Sequence, residues 1–461
     1  MTRSNALPPV SLALIALVAL EVAHQFSGAS VLGWAAVAAM GLSIALAAPR
    51  LGLREAYLLT LSAGVALCLW VWHPDPLRAA VRALDQAVFL MAFLLSISLI
   101  QEAAQTSQSV AALGRYLANQ PGGRRYVGLY AGTSAMSVVF NIGTLSLLAP
   151  LITRAAEAAP DDPLTRTRER RQLNAVLRGF AWSVAWSPTA IAPLALFALL
   201  PDADRLSWIG LGLGLAAVML AVGWAEDRLA WRGLTAEALG RPPLPVPPLP
   251  RRAGLRFLAV CFGLAAIAGA LMLAGGVGVP AALMAASPLV MLGWLWAQPI
   301  NPWPRMGEIL RQDMPATAPA AVTLGAAGFV GIAGADLLPA QAIADWIDLG
   351  AAPAWLFLTG TVVAVLVLSQ FGLSPIMMAV FFGAVLSSLD DLPADATLTA
   401  LAVSTGLAVA TTASPFAAGV VFLARVTRHS GPKLTYGWNG FFSAKSIAIL
   451  AVAFWCMTGG R

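Results

Sequence analysis

The sequence predicts an all-α polytopic membrane protein with about 11 transmembrane helices and two re-entrant hairpins in two inverted repeats. Three observations support this. Of the 461 residues, 59% are apolar and 11% are charged, whereas roughly a quarter of the residues of a soluble domain are charged. The apolar residues come in runs of about 18 to 25, enough to cross roughly 30 Å of hydrocarbon as a helix. Two further apolar segments are interrupted, and their pattern recurs in both halves of the chain.

The continuous apolar runs indicate helices and not a β-barrel, because they do not alternate with a period of two residues. The run after Arg3 lacks a convincing small-residue cleavage site and more spans follow at once, so we expect it to be a retained first helix. The predicted crossings are residues 10–26, 31–49, 55–72, 84–101, 174–199, 205–224, 254–274, 277–298, 315–333, 397–424 and 439–457.

Residues 126–156 and 352–388 do not look like simple crossings, because a polar patch with Gly or Pro interrupts each near its middle. The two patches are Asn141-Ile142-Gly143-Thr144 and Gly372-Leu373-Ser374-Pro375. A broken helix at membrane depth is tolerated only where protein or a water-filled cavity receives the freed backbone groups. We therefore predict that both segments are hairpins that enter and leave the membrane on one side.

The charges of the loops support the two hairpins. With the N-terminus in the cytoplasm, most arginines lie on the inner side, as the positive-inside rule requires. Counting either interrupted segment as a full crossing would move a large basic cluster to the outside. Exceptions on the predicted outer side are Arg78, Arg82 and Arg205. The net charge of +6 is thus explained by topology and not by nucleic-acid binding, and we expect a multi-pass protein of the bacterial cytoplasmic (inner) membrane.

A Pro- and Arg-rich stretch divides the chain near its midpoint and predicts a cytoplasmic linker. The predicted organisation is scaffold helices over residues 1–53, a first inverted repeat over 54–224, the linker over 225–253 and a second inverted repeat over 254–461. The basic, amphipathic segments 163–178 and 301–313 are expected to lie on the inner membrane surface.

The two halves share a motif after each predicted hairpin. Gly179-Phe180-Ala181 precedes Ser187-Pro188, and Gly406-Leu407-Ala408 precedes Ser414-Pro415 at the same spacing. A Pro inside a helix removes one backbone hydrogen bond and opens the helix locally, so we predict broken helices over 174–199 and 397–424. By the charge argument the first hairpin opens inward and the second outward, which makes the repeats inverted. Paired broken helices in inverted repeats indicate a transporter binding site near the bilayer midplane.

In these features the chain resembles the ion transporter superfamily, and most closely its divalent anion/sodium symporter (dicarboxylate transporter) branch. That family has eleven spans, two opposed hairpins with Ser-Asn-Thr tips, and an unwound helix after each hairpin. The triplet is not intact at either tip here. The resemblance implies substrate or ion binding by Asn141, Gly143, Thr144, Ser187, Pro188, Thr189, Ser374, Pro375, Thr411, Thr412, Ser414 and Pro415.

The predicted function is secondary active transport of a small, organic-acid-like anion, coupled to a cation, by alternating access of the elevator type. We expect Na+ or H+ as the coupling ion, no cofactor, contacts with membrane lipid, no nucleic acid and a homodimer. Neither hairpin contains a carboxylate, which favours a cation held by carbonyls and hydroxyls over a proton held by an acidic residue.

For several single residues, the sequence allows two interpretations. Asn141 is the strongest candidate, because an Asn in lipid costs free energy unless it ligates something or caps a half-helix. Trp182 and Trp186 either line a bulky pocket or pack against neighbouring helices. Lys445 lies deep in the last span, where it either pairs with a polar partner or neutralises the substrate.

Two other functions are compatible with parts of the sequence. An exporter or flippase with the same fold would move a larger amphipathic or lipid-linked substrate, which the two tryptophans and the scarce charges would suit. A membrane-embedded enzyme is disfavoured, because the spans contain no His/Asp/Glu cluster, metal motif or paired carboxylate. The three cysteines lie far apart and form no metal-binding spacing.

Overall fold

The computed structural model describes residues 7–231, 248–372 and 375–460, and every regular element in them is a helix. The first ten helices are α1 (Pro9–Ser27), α2 (Ser30–Ala47), α3 (Leu53–Trp72), α4 (Pro76–Gln105), α5 (Gln108–Ala118), α6 (Gly122–Phe140), α7 (Gly143–Glu157), α8 (Pro163–Ser183), α9 (Ile191–Leu199) and α10 (Arg205–Ala230). The others are α11 (Arg251–Gly275), α12 (Val279–Ala297), α13 (Pro302–Glu308), α14 (Met314–Leu337), α15 (Ala340–Trp346), α16 (Ala354–Leu368), α17 (Pro375–Ser387), α18 (Ala396–Ala413), α19 (Ala418–Thr427) and α20 (Trp438–Met457).

Eleven helical segments of the described chain are long and apolar enough to cross a membrane. They confirm the predicted all-α, polytopic membrane class, and ten of them coincide with predicted crossings. The predicted crossing 174–199 is not one continuous helix, because α8 ends at Ser183 and α9 begins at Ile191. The eleventh apolar segment is instead Ala354–Phe371, which is the first arm of the second interrupted segment.

The chain folds into two compact units. Unit 1 contains residues Met1–Ser107 and Arg256–Pro339, and unit 2 contains Gln108–Leu255 and Ala340–Arg461. Each predicted repeat therefore contributes its first part to unit 1 and its later part, with the hairpin and the broken helix, to unit 2. Of the predicted linker 225–253, residues 232–247 lie outside the described residues; α10 runs to Ala230 and α11 begins at Arg251.

The longest helices of unit 1, α4 and α14, pack against each other through small residues. A Cβ atom on Gly325 would lie 3.2 Å from the carbonyl oxygen of Ala87, so the two backbones approach closely, as small residues allow in membrane helix pairs. An ion pair of 2.8 Å joins Arg82 near the start of α4 to Asp336 near the end of α14. The two helices are therefore antiparallel.

The basic, amphipathic segments 163–178 and 301–313 are both helical, but neither is a helix of its own. Residues 163–178 belong to α8, which continues to Ser183, and residues 301–313 lead through α13 and a π-helical turn directly into α14. Each segment makes an ion pair with another helix of its own unit: Arg171 makes a bidentate pair with Asp227 of α10 in unit 2, and Arg305 lies 3.4 Å from the carboxylate of Glu102 of α4 in unit 1. Part of the amphipathic pattern of both segments is thus explained by contacts with protein.

Unit 2 is built from two helical hairpins and two broken helices. Hairpin 1 consists of α6 and α7, hairpin 2 of α16 and α17, broken helix 1 of α8 and α9, and broken helix 2 of α18 and α19. The first arm of each hairpin packs on the broken helix of its own repeat, α6 on α8 and α16 on α18. The second arm packs on its own broken helix as well, α7 on α8 and α17 on α18, and also on that of the other repeat, α7 on α19 and α17 on α9. The two repeats are therefore interlocked.

The glycines of the repeated sequence motif lie at the closest of these contacts. A Cβ atom on Gly179 would collide with the carbonyl oxygen of Tyr130 in α6. At the matching position, a Cβ atom on Gly406 would lie 3.2 Å from the Cα atom of Val362 in α16. Glycine is needed at Gly179, and at Gly406 it avoids a tight contact, because the hairpin approaches where a side chain would begin.

The hairpins open at opposite ends of unit 2. Gln172 in the middle of α8, on the side away from the break, donates to the carbonyl of Ala118, which leads into the base of hairpin 1 (2.7 Å). At the other end, the backbone N–H of Asp204, which precedes α10, donates to Thr397 at the start of α18 (2.9 Å). The loop from hairpin 2 leads into that end of α18. This opposed arrangement agrees with the predicted inverted repeats.

Candidate functional site

The tip of hairpin 1 reverses direction at Asn141, which ends α6. Its φ is 45°, in the left-handed range that Asn tolerates better than most residues. Its backbone N–H donates to Ser137 (3.0 Å) and its carbonyl accepts from the N–H of Thr144 (3.1 Å). The side chain is half-buried and makes no hydrogen bond within the part of the chain that the structure describes. A polar amide is thus held at the tip and is free to bind a ligand.

The second arm of hairpin 1 begins immediately after this tip. Gly143 and Thr144 form the first turn of α7, which has no side-chain cap at its N-terminus. Thr144 is fully buried, and its hydroxyl has no hydrogen-bond partner among the described residues. An unpaired buried hydroxyl costs about 1–3 kcal/mol, and the first turn of a helix carries partial positive charge. This turn therefore has unused donors.

The break in broken helix 1 is bonded to hairpin 1. The hydroxyls of Ser187 and Thr189 lie 3.1 Å apart, and Thr189 donates to the carbonyl of Val138, just before the hairpin tip. Pro188 between them is exposed. Three of the predicted site residues thus meet at one place, and the hydroxyl at the break fixes the approach of the hairpin tip.

Hairpin 2 and broken helix 2 repeat this contact. The hydroxyl of Ser414 donates to the carbonyl of Ser369 at the end of α16 (2.7 Å), and α19 begins at Ala418 without a side-chain cap. Pro415 is half-buried beside Ser414, and Pro375 is the first residue of α17. Ser374, the remaining predicted residue of this tip, lies outside the described residues.

Thr411 and Thr412 bond their own helix instead of facing an open break. Thr411 donates to the carbonyl of Leu407 (2.8 Å) and Thr412 to that of Val409 (2.9 Å). Thr412 also lies 3.0 Å from the hydroxyl of Ser443 in α20. This self-bonding is common for Thr in helices, and it leaves these two hydroxyls less available than those at the breaks.

The two tryptophans lie on α8 and just after it. Trp182 is completely buried, whereas Trp186 is half-buried beside Gly212 of α10. Neither indole N–H has a hydrogen-bond partner among the described residues. Trp182 therefore packs within unit 2 in this conformation, and only Trp186 reaches a surface near the first break.

A charge network joins α8 to α10 and α20, and the sequence indicated only part of it. Arg178 of α8 donates to Glu226 (2.8 Å) and to Asn439 (2.8 Å), and its guanidinium lies 3.9 Å from the ring centre of Phe442. Lys445 of α20 lies 3.1 Å from the other carboxylate oxygen of Glu226. Lys445 therefore has an ionic partner in unit 2, and one carboxylate serves two cations.

Neither Glu226 nor Asn439 was predicted from the sequence to be a site residue, and the reasons differ. Glu226 lies beyond the predicted end of its crossing at residue 224, whereas α10 extends to Ala230. Asn439 opens the last helix and has no motif around it. The available signal was the position of Glu226, two residues after the predicted end of an apolar run. An acidic residue there faces the protein interior if the helix continues.

No family model matches the chain, and no curated protein matches it. Among solved structures, it is similar to the crystal structure of the YdaH transporter of Alcanivorax borkumensis, described as having an unusual topology. The two chains share 14% sequence identity with a TM-score of 0.52, over 88% of this chain and 97% of the other. At this identity the likeness concerns the fold. The chain is thus a multi-pass helical protein with the fold of a membrane transporter.

Proposed function

We propose that the protein is a secondary active transporter that moves a small anionic solute across the membrane by alternating access of the elevator type, coupled to a cation. The observation that carries this proposal is the pairing of each hairpin tip with a break in a helix. The hydroxyls of Thr189 and Ser414 each bond the hairpin of their own repeat. Such paired discontinuities are where transporters of inverted-repeat architecture bind solutes and ions.

The chemistry of the breaks suits an anion together with a cation. The helices α7, α9 and α19 each begin at a break and have no side-chain cap, so their N–H groups and positive dipole ends favour an anion. Carbonyls freed at the same breaks favour a hard cation such as Na+. We place the anion at the tip of hairpin 1, where Asn141 and Thr144 have unused donors.

The division into units supports an elevator mechanism. Both hairpins and both broken helices belong to unit 2, and the long helices α4 and α14 belong to unit 1. An elevator requires that the elements of the site move as one body, and the interlocked packing of the two repeats in unit 2 would keep them together. We further propose a homodimer in the bacterial cytoplasmic membrane with the N-terminus inside, which light scattering and cysteine labelling of intact cells would test.

The direct test is uptake of labelled succinate by proteoliposomes with an imposed Na+ or pH gradient. We expect accumulation above equilibrium only with a gradient. The double variant Asn141→Ala with Ser414→Ala should reduce the initial rate at least about tenfold, which corresponds to one lost charge-assisted hydrogen bond. The matched control is Asn119→Ala with Ser388→Ala, since both residues are exposed in unit 2.

Two results would contradict the proposal in different ways. Uptake that equals equilibrium under every gradient would overturn cation coupling. Gradient-driven uptake that the site variant leaves unchanged would overturn the site while leaving the transport function standing. A second substrate, citrate, tested in the same vesicles distinguishes a narrow site from one that accepts larger carboxylates.

A further inference from the structure

A cavity of about 340 Å³ lies in unit 1, where the turn after α3 meets the first turns of α4. Its lining residues are His73, Asp75, Arg78, Ala79 and Arg82. None of them belongs to the hairpins or broken helices, which are in unit 2. The cavity is therefore separate from the candidate transport site and needs its own explanation.

Two arginines one helical turn apart dominate this cavity. Arg78 and Arg82 are both exposed on the same face of α4, where like charges four residues apart disfavour each other by about 0.2–0.5 kcal/mol. Arg82 uses one of its nitrogens for the ion pair with Asp336. The guanidinium of Arg78 makes no ion pair or hydrogen bond with any residue that the structure describes. An anion between the two side chains would relieve the repulsion.

The other two polar residues complete a donor-rich lining. The backbone N–H of Asp75 donates to Nδ1 of His73 (3.1 Å), so Nδ1 is an acceptor and the proton of the neutral ring lies on Nε2. The carboxylate of Asp75 accepts the backbone N–H of Arg78 (3.3 Å) and caps α4. The one acidic lining residue is thus engaged with the helix, while His73, Arg78 and Arg82 retain donors.

The position of the cavity along the membrane normal indicates which anion it meets. Arg78 and Arg82 are exceptions to the positive-inside rule, because they lie on the predicted outer side, where basic residues are selected against. Trp70 and Trp72 at the end of α3 are 68% and 72% exposed, and exposed tryptophans mark the headgroup level of a bilayer. The arginines therefore lie at the depth of lipid phosphates, whose geometry their planar forks match.

We propose that this cavity binds a phosphate-bearing anion between Arg78 and Arg82, namely the headgroup of an anionic phospholipid in the outer leaflet. The phosphate contacts the free guanidinium of Arg78 and the remaining donors of Arg82. His73 contributes its Nε2–H. The choline group of a zwitterionic lipid would bring a positive charge beside two arginines, so phosphatidylglycerol binds better than phosphatidylcholine. Inorganic phosphate offers the same chemistry without the acyl chains.

The test is binding of short-chain phosphatidylglycerol, phosphatidylcholine and inorganic phosphate to the purified full chain in detergent. Native mass spectrometry counts bound lipid, and thermal unfolding reports stabilisation by each ligand. We expect the affinity for phosphatidylglycerol to fall at least about tenfold in Arg78→Gln, the factor of one charge-assisted hydrogen bond. The matched control is Arg205→Gln, because Arg205 is also basic on the predicted outer side but packs over Phe197 in unit 2.

Each outcome of this experiment either supports or overturns the proposal. Arg78→Gln removes an exposed side chain without an ion pair, so its folding should be unaffected, whereas Arg82→Gln also breaks the contact with Asp336. Binding of phosphatidylglycerol within twofold of the unmodified chain in Arg78→Gln overturns the proposal, as does an equal loss in Arg205→Gln. Stabilisation by inorganic phosphate alone, lost in Arg78→Gln, supports the phosphate site and identifies a free anion as its occupant.

Discussion

Replacing Glu226 by Gln is the most direct test of the charge network that joins α8, α10 and α20. The carboxylate lies 2.8 Å from Nη1 of Arg178 and 3.1 Å from Nζ of Lys445. The amide keeps the shape of the side chain and removes its charge. Arg178 and Lys445 would then both lack an acidic partner among the residues of unit 2 that the structure describes.

The two ion pairs differ in how much each contributes. The side chain of Arg178 is only 4% exposed, and that of Glu226 is 20% exposed. Breaking a buried pair by removing one partner costs about 3–5 kcal/mol. Lys445 is 33% exposed, so its pair is closer to a surface ion pair, which contributes about 0–1 kcal/mol. We therefore expect a loss of about 3 kcal/mol, almost all of it from Arg178.

Thermal unfolding of the full chain in detergent, followed by the size-exclusion peak that remains after heating, measures this loss. With roughly 2 °C per kcal/mol for a large domain, the midpoint should fall by about 6 °C. The control is Asp161→Asn, which makes the same carboxylate-to-amide change in a fully exposed pair with Arg166 (2.6 Å). We expect no measurable shift there.

We also expect a second substitution to rescue part of the lost stability. In the double variant Glu226→Gln with Arg178→Gln, the uncompensated buried charge is gone, so the loss should be smaller than the sum of the two single losses. A midpoint for Glu226→Gln that matches the Asp161→Asn control would refute the argument that this carboxylate stabilises unit 2.

Three further variants follow from the packing and the tips. Gly179→Ala should destabilise by about 1–3 kcal/mol through overpacking in thermal unfolding. Gly214→Ala, which meets nothing within 4 Å, should not destabilise, because alanine is favoured over glycine inside a helix; equal midpoints would contradict the close contact at Gly179. Thr144→Val replaces an unpaired hydroxyl with a methyl group, so stability should hold while succinate uptake falls; unchanged uptake would remove Thr144 from the site. Ser414→Ala breaks its bond to Ser369 and should cost about 0.6–1.7 kcal/mol, as for hydrogen bonds between membrane helices, and an unchanged midpoint would show that the bond does not hold the tip.

The broken elements could be predicted because their signals are local in the sequence. A reversal at Asn141 and an opened helix at Ser414 each follow from the conformational limits of a few residues in an apolar run. The loop charges then required that both interrupted segments return to the side from which they came. In the structure, the described arms of both hairpins and both broken helices belong to unit 2.

The partners of the buried charges could not be predicted, because contacts between distant helices leave no local pattern. Arg178 and Asn439 are 261 positions apart. Glu226 lies at the end of a run whose helix continues past its apolar part.

The two repeats are equivalent in their backbone packing but not in their polar chemistry. At one end of unit 2, Trp208 of α10 donates to Ser404 of α18 (3.2 Å). At the related place, where α20 meets α8, Asn439 accepts from the charged Arg178. Exchange of conformation between two repeats requires equivalent backbone contacts, which the paired glycines provide, and it does not require equivalent side chains. The charge network therefore lies at one end of unit 2 alone, and the neutral contact at the other end avoids the cost of a buried charge there.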